Sequence, residues 1–278
     1  MSGRFTIRTM HINGFDLIES SGIRYYSCAA FEKIPRLRHA FSTRSGGISL
    51  ASEQALNLGD VPWDLPANVE ENRRRFLSAL GLLPARLATV AQCHSAEFHI
   101  IDCPAHQWNP RTRGDALVTA EQGIALAVQV ADCFPVLVAD PQKGIIAAVH
   151  AGWRGSLARI LRRILEGMGQ LGADPADVLV AVGPGIRPCC FEVGLEVASA
   201  FDAEFPGEHL SHPHPERQDK YLLDLPMALN VQLSEAGVTP QNRWDLGLCT
   251  RCNPNEFFSH RAEGSHAGRM MGIICRVR

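Results

Sequence analysis

Between Gly114 and Trp153 the chain reads GDALVTAEQGIALAVQVADCFPVLVADPQKGIIAAVHAGW, a stretch of short apolar runs separated by turn residues. Runs of this length, with Asp140-Pro141 and Lys143-Gly144 as hairpin signals, read as successive strands of a sheet core. Whatever else the chain does, it must pack around that core. Two residues stand out against the apolar background. Cys133 and His150 each close an apolar run beside residues that turn a chain, so a thiol and an imidazole sit at strand ends.

The flanking segments mix strands and helices. RLRHAFSTRSGGISL reads as a strand entering the Gly46-Gly47 turn, and Pro66 opens a helix in which Val69, Phe76, Leu77 and Leu80 recur at helical spacing until Gly81. RLATVAQCHSAEFHIID gives two short strand-like runs either side of His94. Downstream, Ser156 is expected to N-cap a helix. Leu157, Ile160, Leu161, Ile164, Leu165 and Met168 would form its apolar face, with Arg159, Arg162 and Arg163 on the solvated side. DVLVAVGPGI reads as a buried strand and GLEVASAFDAEF as a helix. LDLPMALNVQLSEAG is a further helix, with Asp224 as N-cap, Pro226 inside its start and Gly237 past its end. PGEHLSHPHPERQDK reads as a polar loop in which His212 and His214 form a pair with no required role.

Composition narrows the function classes. Hydrophobic residues make up 46% of the 278 and charged residues 20%, as in an ordinary soluble globular chain. A formal net charge of −2 gives no general attraction to phosphate backbones, so nucleic acid is not an expected partner. The N-terminal MSGRFTIRTMHINGFDL has no apolar signal core, and runs such as GIALAVQVA fall short of a membrane span. A cytoplasmic location without a membrane partner is therefore expected. The nine cysteines are an odd number, which argues against a disulfide framework and for reduced thiols.

Catalytic zinc sites take three protein ligands from Cys, His and carboxylate and keep a fourth position open. His94, which follows an apolar run in TVAQCHSAEF, supplies a third candidate beside Cys133 and His150. Adjacent strands would converge the three donors on one point. The competing reading makes Cys133 a small buried hydrophobe and the histidines satisfied core residues. Cys93, by strand alternation, should point away from the His94 side into the core. CTRC at Cys249–Cys252 is a single C-x-x-C without a second pair, and PCCFEVG sets Cys189 and Cys190 on opposite faces if extended, leaving only Cys190 able to line a site.

The words HAFSTRSGG, LNLGD, NRRRFLSALGL, QCHS, DALVT, ADCFPVLVADP, AAVHAGWRGS, VGPGIRPCCFEVG, YLLDLPMALNVQLSEAGV, CT, FFSHR and GRM follow in order from His39 to Arg269. Together they resemble the laccase-domain family, whose members have been called multicopper polyphenol oxidases, purine nucleoside phosphorylases and peptidoglycan editing factors. The resemblance implies an α+β fold in a single domain over 1–278, two mixed β-sheets packed face to face with helices outside, in α/β/β/α layers. It also implies zinc held by His94, Cys133 and His150. QCHS departs from the family at Cys93 and Ser95, and SHRAEGSHAGRM departs near His260 and His266, at the expected rim of the substrate pocket.

Of the activities those names carry, copper oxidation would need many His-x-His pairs, and this chain has only His212–His214. The resemblance is better matched by a zinc-dependent purine nucleoside phosphorylase acting on adenosine, inosine, guanosine or methylthioadenosine, with adenosine deaminase activity. Phosphorolysis needs an anion site. Arg44 beside the Gly46-Gly47 turn is the first candidate, Arg154 before a helix start the second, and Asn57 in LNLGD is a candidate for ribose or base. Each also has a structural reading as a surface arginine or a turn cap. Two alternatives stay open: a cysteine hydrolase with Cys133 as nucleophile and His150 as base, editing a cell-wall precursor amide, and a non-enzymatic zinc-stabilised binding module.

Overall fold

The strand-rich stretch does not form one continuous meander. In the computed structural model, which describes residues 6–50, 54–82, 86–103 and 106–278, its strands are dealt between two sheets. Ala116–Thr119, Phe134–Asp140 and Ile145–Ala151 lie in a six-stranded sheet, while Ile124–Val130 crosses into a seven-stranded one. The six-stranded sheet runs Arg243–Asp245, Leu179–Val182, Phe134–Asp140, Ile145–Ala151, Ala116–Thr119, Phe98–Ile100. The seven-stranded sheet runs Thr6–Ile12, Phe15–Ser20, Ile23–Cys28, Leu37–Ser42, Met270–Arg276, Ile124–Val130, Arg86–Ala88. Both are mixed: Arg86–Ala88, Phe98–Ile100 and Arg243–Asp245 pair parallel to their neighbours, and the other ladders of these two sheets are antiparallel.

The sheets stack face to face, and strand alternation explains why the apolar runs are unbroken. Leu137, Ala139, Ile146 and Ala148 point into the layer between the sheets, where they meet Leu126, Val128 and Ile274. Val136, Val138, Ala147 and Val149 point the other way, onto the helices Ile160–Gln170 and Leu225–Glu235. Ala125, Ala127 and Ile273 face the helix Pro66–Ala79 on the far side of the other sheet. A strand buried on both faces has no polar positions to alternate with. Helix, sheet, sheet and helix are thus layered as the resemblance implies.

Three local expectations are corrected. Ser156 is not an N-cap: it lies within a short helix, Trp153–Leu157, and the following helix begins only after Arg159, which takes a left-handed backbone (φ 62°, ψ 41°). Gln232 bridges the break, accepting the Leu161 N–H at 3.1 Å and donating to the Ser156 carbonyl at 3.0 Å. Arg159 is not a solvated residue, since it stacks on Phe205 and pairs with Glu204 and Glu235. The expected loop around His212 contains a strand, Ser211–Pro213, in a three-stranded sheet with Lys220–Leu223 and Glu192–Gly194. Asp224 does cap its helix, accepting the Met227 N–H at 2.9 Å.

Candidate metal centre and cleft

His94 and Cys133 lie on links that leave the seven-stranded sheet for the six-stranded one, His94 between Arg86–Ala88 and Phe98–Ile100, and Cys133 between Ile124–Val130 and Phe134–Asp140. His150 is the penultimate residue of Ile145–Ala151. The two crossovers bring their side chains to the end of that strand. The His94, Cys133 and His150 ligand atoms all fall within 4.8 Å of one another, close enough to share one ion. His94 has a left-handed backbone (φ 58°) in a bend, so it is not a strand residue.

Asp115 organises this convergence. Its Oδ1 accepts His150 Nδ1 at 2.8 Å and the His94 N–H at 3.0 Å, and its Oδ2 accepts the Ser95 N–H at 2.6 Å and the Ser95 hydroxyl at 2.8 Å. The bond at Nδ1 leaves Nε2 of His150 for the site, the arrangement in which ligand histidines are held by a carboxylate behind them. Burial alone would raise the Asp115 carboxyl, but His150 and the Ser95 N–H outweigh it and hold it well below the usual carboxylate range. Burial likewise pushes Cys133 up, yet the charge and hydrogen bonds of His150 and His94 bring the thiol down to about 6. His150 rises to about 9 against its own desolvation, through Cys133 and Asp115. The thiol is therefore disposed to be a thiolate, the form that binds metal or attacks carbon.

The fold leaves room at this point by using Gly152. A Cβ there would stand 3.0 Å from Cys133 Sγ and 3.3 Å from the His94 ring. Two imidazoles and a thiolate around a space that one methyl group would fill are a borderline-soft donor set suited to zinc, with three ligands and an open side. That side faces a cleft of about 770 Å³ whose wall includes Arg73, Arg111, Asp132, His260, Arg261 and Arg269. The volume is that of a small-molecule site. Asp132 is fixed by Thr250 Oγ1 at 2.6 Å and by the Arg261 N–H at 2.6 Å.

The other sequence candidates are placed elsewhere. Arg44 does not line the cleft: its Nη1 donates to the Pro254 and Phe257 carbonyls and to Glu263, and it stacks on Phe258. The Gly46 and Gly47 N–H groups both donate to the Gln54 carbonyl, and a Cβ on Gly47 would meet the Ala55 oxygen at 2.0 Å. That turn is a packing device and not an open anion nest. Asn57 is buried, bonded to Asp64, Gly59 and the Arg269 N–H. Arg154 is exposed within its short helix and lies over Trp153. Cys93 is half-buried with Sγ beside Ser95 and Asp115, not in the apolar core, and it is no part of the ligand group. Among the described residues, the second convergent group of metal-type donors is Cys189, Cys190, Cys249 and Cys252, and neither group contains His212 or His214. His260 reaches the cleft wall. Asp115, Asp132, Gly152, Arg261 and Arg269 were not singled out from the sequence, although all but Gly152 begin or end a short polar interruption of an apolar run.

A family model described as multi-copper polyphenol oxidoreductase laccase matches residues 38–277. The chain belongs to this laccase-domain family. A relative named purine nucleoside phosphorylase, from Deinococcus radiodurans, is 41% identical over 237 residues, 85% of this chain and 88% of the relative. Another so named, from Streptomyces coelicolor, is 36% identical over 236 residues, covering 84% and 93%. Among solved structures, YlmD from Geobacillus stearothermophilus superposes with a TM-score of 0.82 at 30% identity, over 94% of this chain and 98% of that one. YfiH from Bacillus licheniformis gives 0.84 at 25% identity, over 96% and 100%. The strands from Thr6 to Cys28 precede the matched segment. Among the described residues, no helix is long and apolar enough to cross a membrane.

Proposed function

We propose that this chain is a zinc-dependent purine nucleoside phosphorylase with adenosine deaminase activity, working on small nucleosides and phosphate. The observation that carries the reading is the convergence of His94, Cys133 and His150, backed by Asp115, at the floor of a cleft rimmed by arginines. A zinc ion held by these three residues would supply Lewis-acid polarisation of the substrate. The chain's own residues bind and orient. Arg73, Arg111, Arg261 and Arg269 give the rim a positive character that suits phosphate, and Asp132 and Asp60 offer acceptors for ribose hydroxyls or base N–H groups. We assign the phosphate to these arginines and not to Arg44 or Arg154. Arg44 pairs with Glu263, at the end of the helix His260–Glu263 whose His260 and Arg261 line the cleft, and Asn57 holds the Arg269 backbone, both as positioning residues. Among the described residues, the cleft wall adds only His260 to His94 and His150, which favours zinc over a multicopper centre.

A second reading is favoured by one specific feature. Cys133, His150 and Asp115 also have the order of a thiolate, a base and an orienting carboxylate, as an amide hydrolase needs. Metal content separates the two, because a ligated thiolate is a poor nucleophile. The expected result is about one zinc bound through His94, Cys133 and His150, with nucleosides converted to free base only when phosphate is present, apart from phosphate-independent deamination of adenosine. Cys133→Ala should lose that zinc and both activities together. Unchanged nucleoside turnover in that variant, or amide hydrolysis abolished by thiol alkylation in metal-free protein, would overturn the phosphorylase reading.

A further inference from the structure

We propose that Cys189, Cys190, Cys249 and Cys252 form a second, structural metal site, a tetrathiolate that takes Zn²⁺ and fastens together the two loops behind the cleft. The four Sγ atoms lie within 4.8 Å of one another. Cys252 Sγ is 3.4 Å from that of Cys190 and 3.6 Å from that of Cys189. Zinc–thiolate bonds of about 2.3 Å in a tetrahedron set the sulfurs about 3.8 Å apart, and a disulfide would require about 2 Å. The observed spacing is thus near that of a metal cage and far from that of a bond.

The backbone explains how adjacent cysteines share one centre. Cys189 and Cys190 are in a turn closed by the Cys190 and Phe191 N–H groups donating to the Arg187 carbonyl, so they are not extended and do not point apart. Cys249 and Cys252 flank a second turn, closed by the Asn253 N–H on the Cys249 carbonyl. C-x-x-C is a recurrent half of structural zinc sites, and the Cys-Cys turn supplies the missing half. Four soft ligands with no carboxylate select zinc over hard cations, and four protein ligands leave no position for substrate. Binding exchanges thiol protons for the ion, released to solvent, with no change of oxidation state.

The site has something to hold. The two loops are already paired through the Thr250 N–H on the Gly185 carbonyl and the Gly185 N–H on the Leu248 carbonyl. From the same loops Thr250 Oγ1 and the Ile186 N–H bind Asp132, the neighbour of Cys133, and Ile186 lines the cleft. An ion at the cysteines would brace that wall from outside. Cys189 and Cys252 are exposed, so the ion can load from solvent.

The test is zinc content of the full chain purified without chelator, with Co²⁺ reconstitution as the spectroscopic probe. Wild type should hold about two zinc ions, and Cys133→Ala and Cys252→Ser about one each. In Cys133→Ala the remaining Co²⁺ should keep strong thiolate-to-cobalt absorption, which Cys252→Ser should largely lose. Should Cys252→Ser fail to fold, Cys189→Ser at the other exposed thiol should show the same loss of one ion. A folded Cys133→Ala chain that binds neither Zn²⁺ nor Co²⁺ would overturn the proposal. So would a metal-free wild type whose mass shows two hydrogens lost to a Cys189–Cys252 disulfide.

Discussion

At the scale of single residues the candidate metal centre depends on a side chain outside the cleft wall. Asp115 accepts hydrogen bonds from the ring of His150 and from the backbone of the His94 bend, so one carboxylate aims both imidazoles. Asp115→Asn keeps one acceptor oxygen and replaces the other with an NH2, so either the Ser95 N–H or the His150 and His94 N–H groups meet a donor. Zinc affinity should fall on the order of 10- to 100-fold, the usual cost of losing such a supporting carboxylate. Chelator competition with folded Asp115→Asn measures it, and an unchanged affinity would reduce Asp115 to a holder of the loop. The convergence of the three candidate ligands was legible because a thiol and imidazoles stand at the ends of apolar runs. Asp115 stands at the start of one, but its partners lie 20 residues or more away along the chain, as Ser95 and His150 do. The same distance misled at Arg44, whose loop position looks like an anion site until Pro254, Phe257 and Glu263 are seen to occupy its guanidinium.

At the scale of elements, the helix after the core strands shows how a tertiary contact can override a local signal. Ser156 has the right chemistry for an N-cap, but its hydroxyl is buried with no hydrogen-bond partner among the described residues. The capping is done by Gln232, from the helix Leu225–Glu235. Gln232 is fully buried, so Gln232→Leu would strand the Leu161 N–H, while the Ser156 carbonyl would keep the Arg159 N–H. One unsatisfied buried donor predicts a loss of about 1–3 kcal/mol, read from urea unfolding. A loss below 1 kcal/mol would mean that the break can close without Gln232. Helix faces, the Asp224 cap and the Asp140–Gly144 hairpin were readable because neighbours a few residues apart decide them. The helix break was not, because its cause lies 76 residues away.

At the scale of the whole molecule, stability carries a pH signature from a histidine remote from the site. His39, on Leu37–Ser42, accepts the Cys28 N–H at Nε2, and burial, helped by the charge of Arg38, pushes its pKa down to about 3. An unfolded chain would protonate it near 6.5. Between those values the unfolded state holds the extra proton, so this contribution is complete above about pH 6.5 and drains away as pH falls toward 3. Its full size is on the order of several kcal/mol. Melting curves of wild type and His39→Gln should therefore converge on acidification, and parallel curves from pH 6.5 to 4 would show that the ring is not held neutral. The layered fold was readable only through family resemblance, since apolar runs alone do not say which strand joins which sheet. That partition has a consequence for the order of folding. His94 and Cys133 occupy links between the two sheets, so a chain that has built either sheet alone has no ligand set to offer. Zinc capture should be a late event, limited by docking of the sheets, and bound zinc should suppress the openings that part them. Resistance to proteolysis would then rise with metal occupancy even at cleavage points far from the ion.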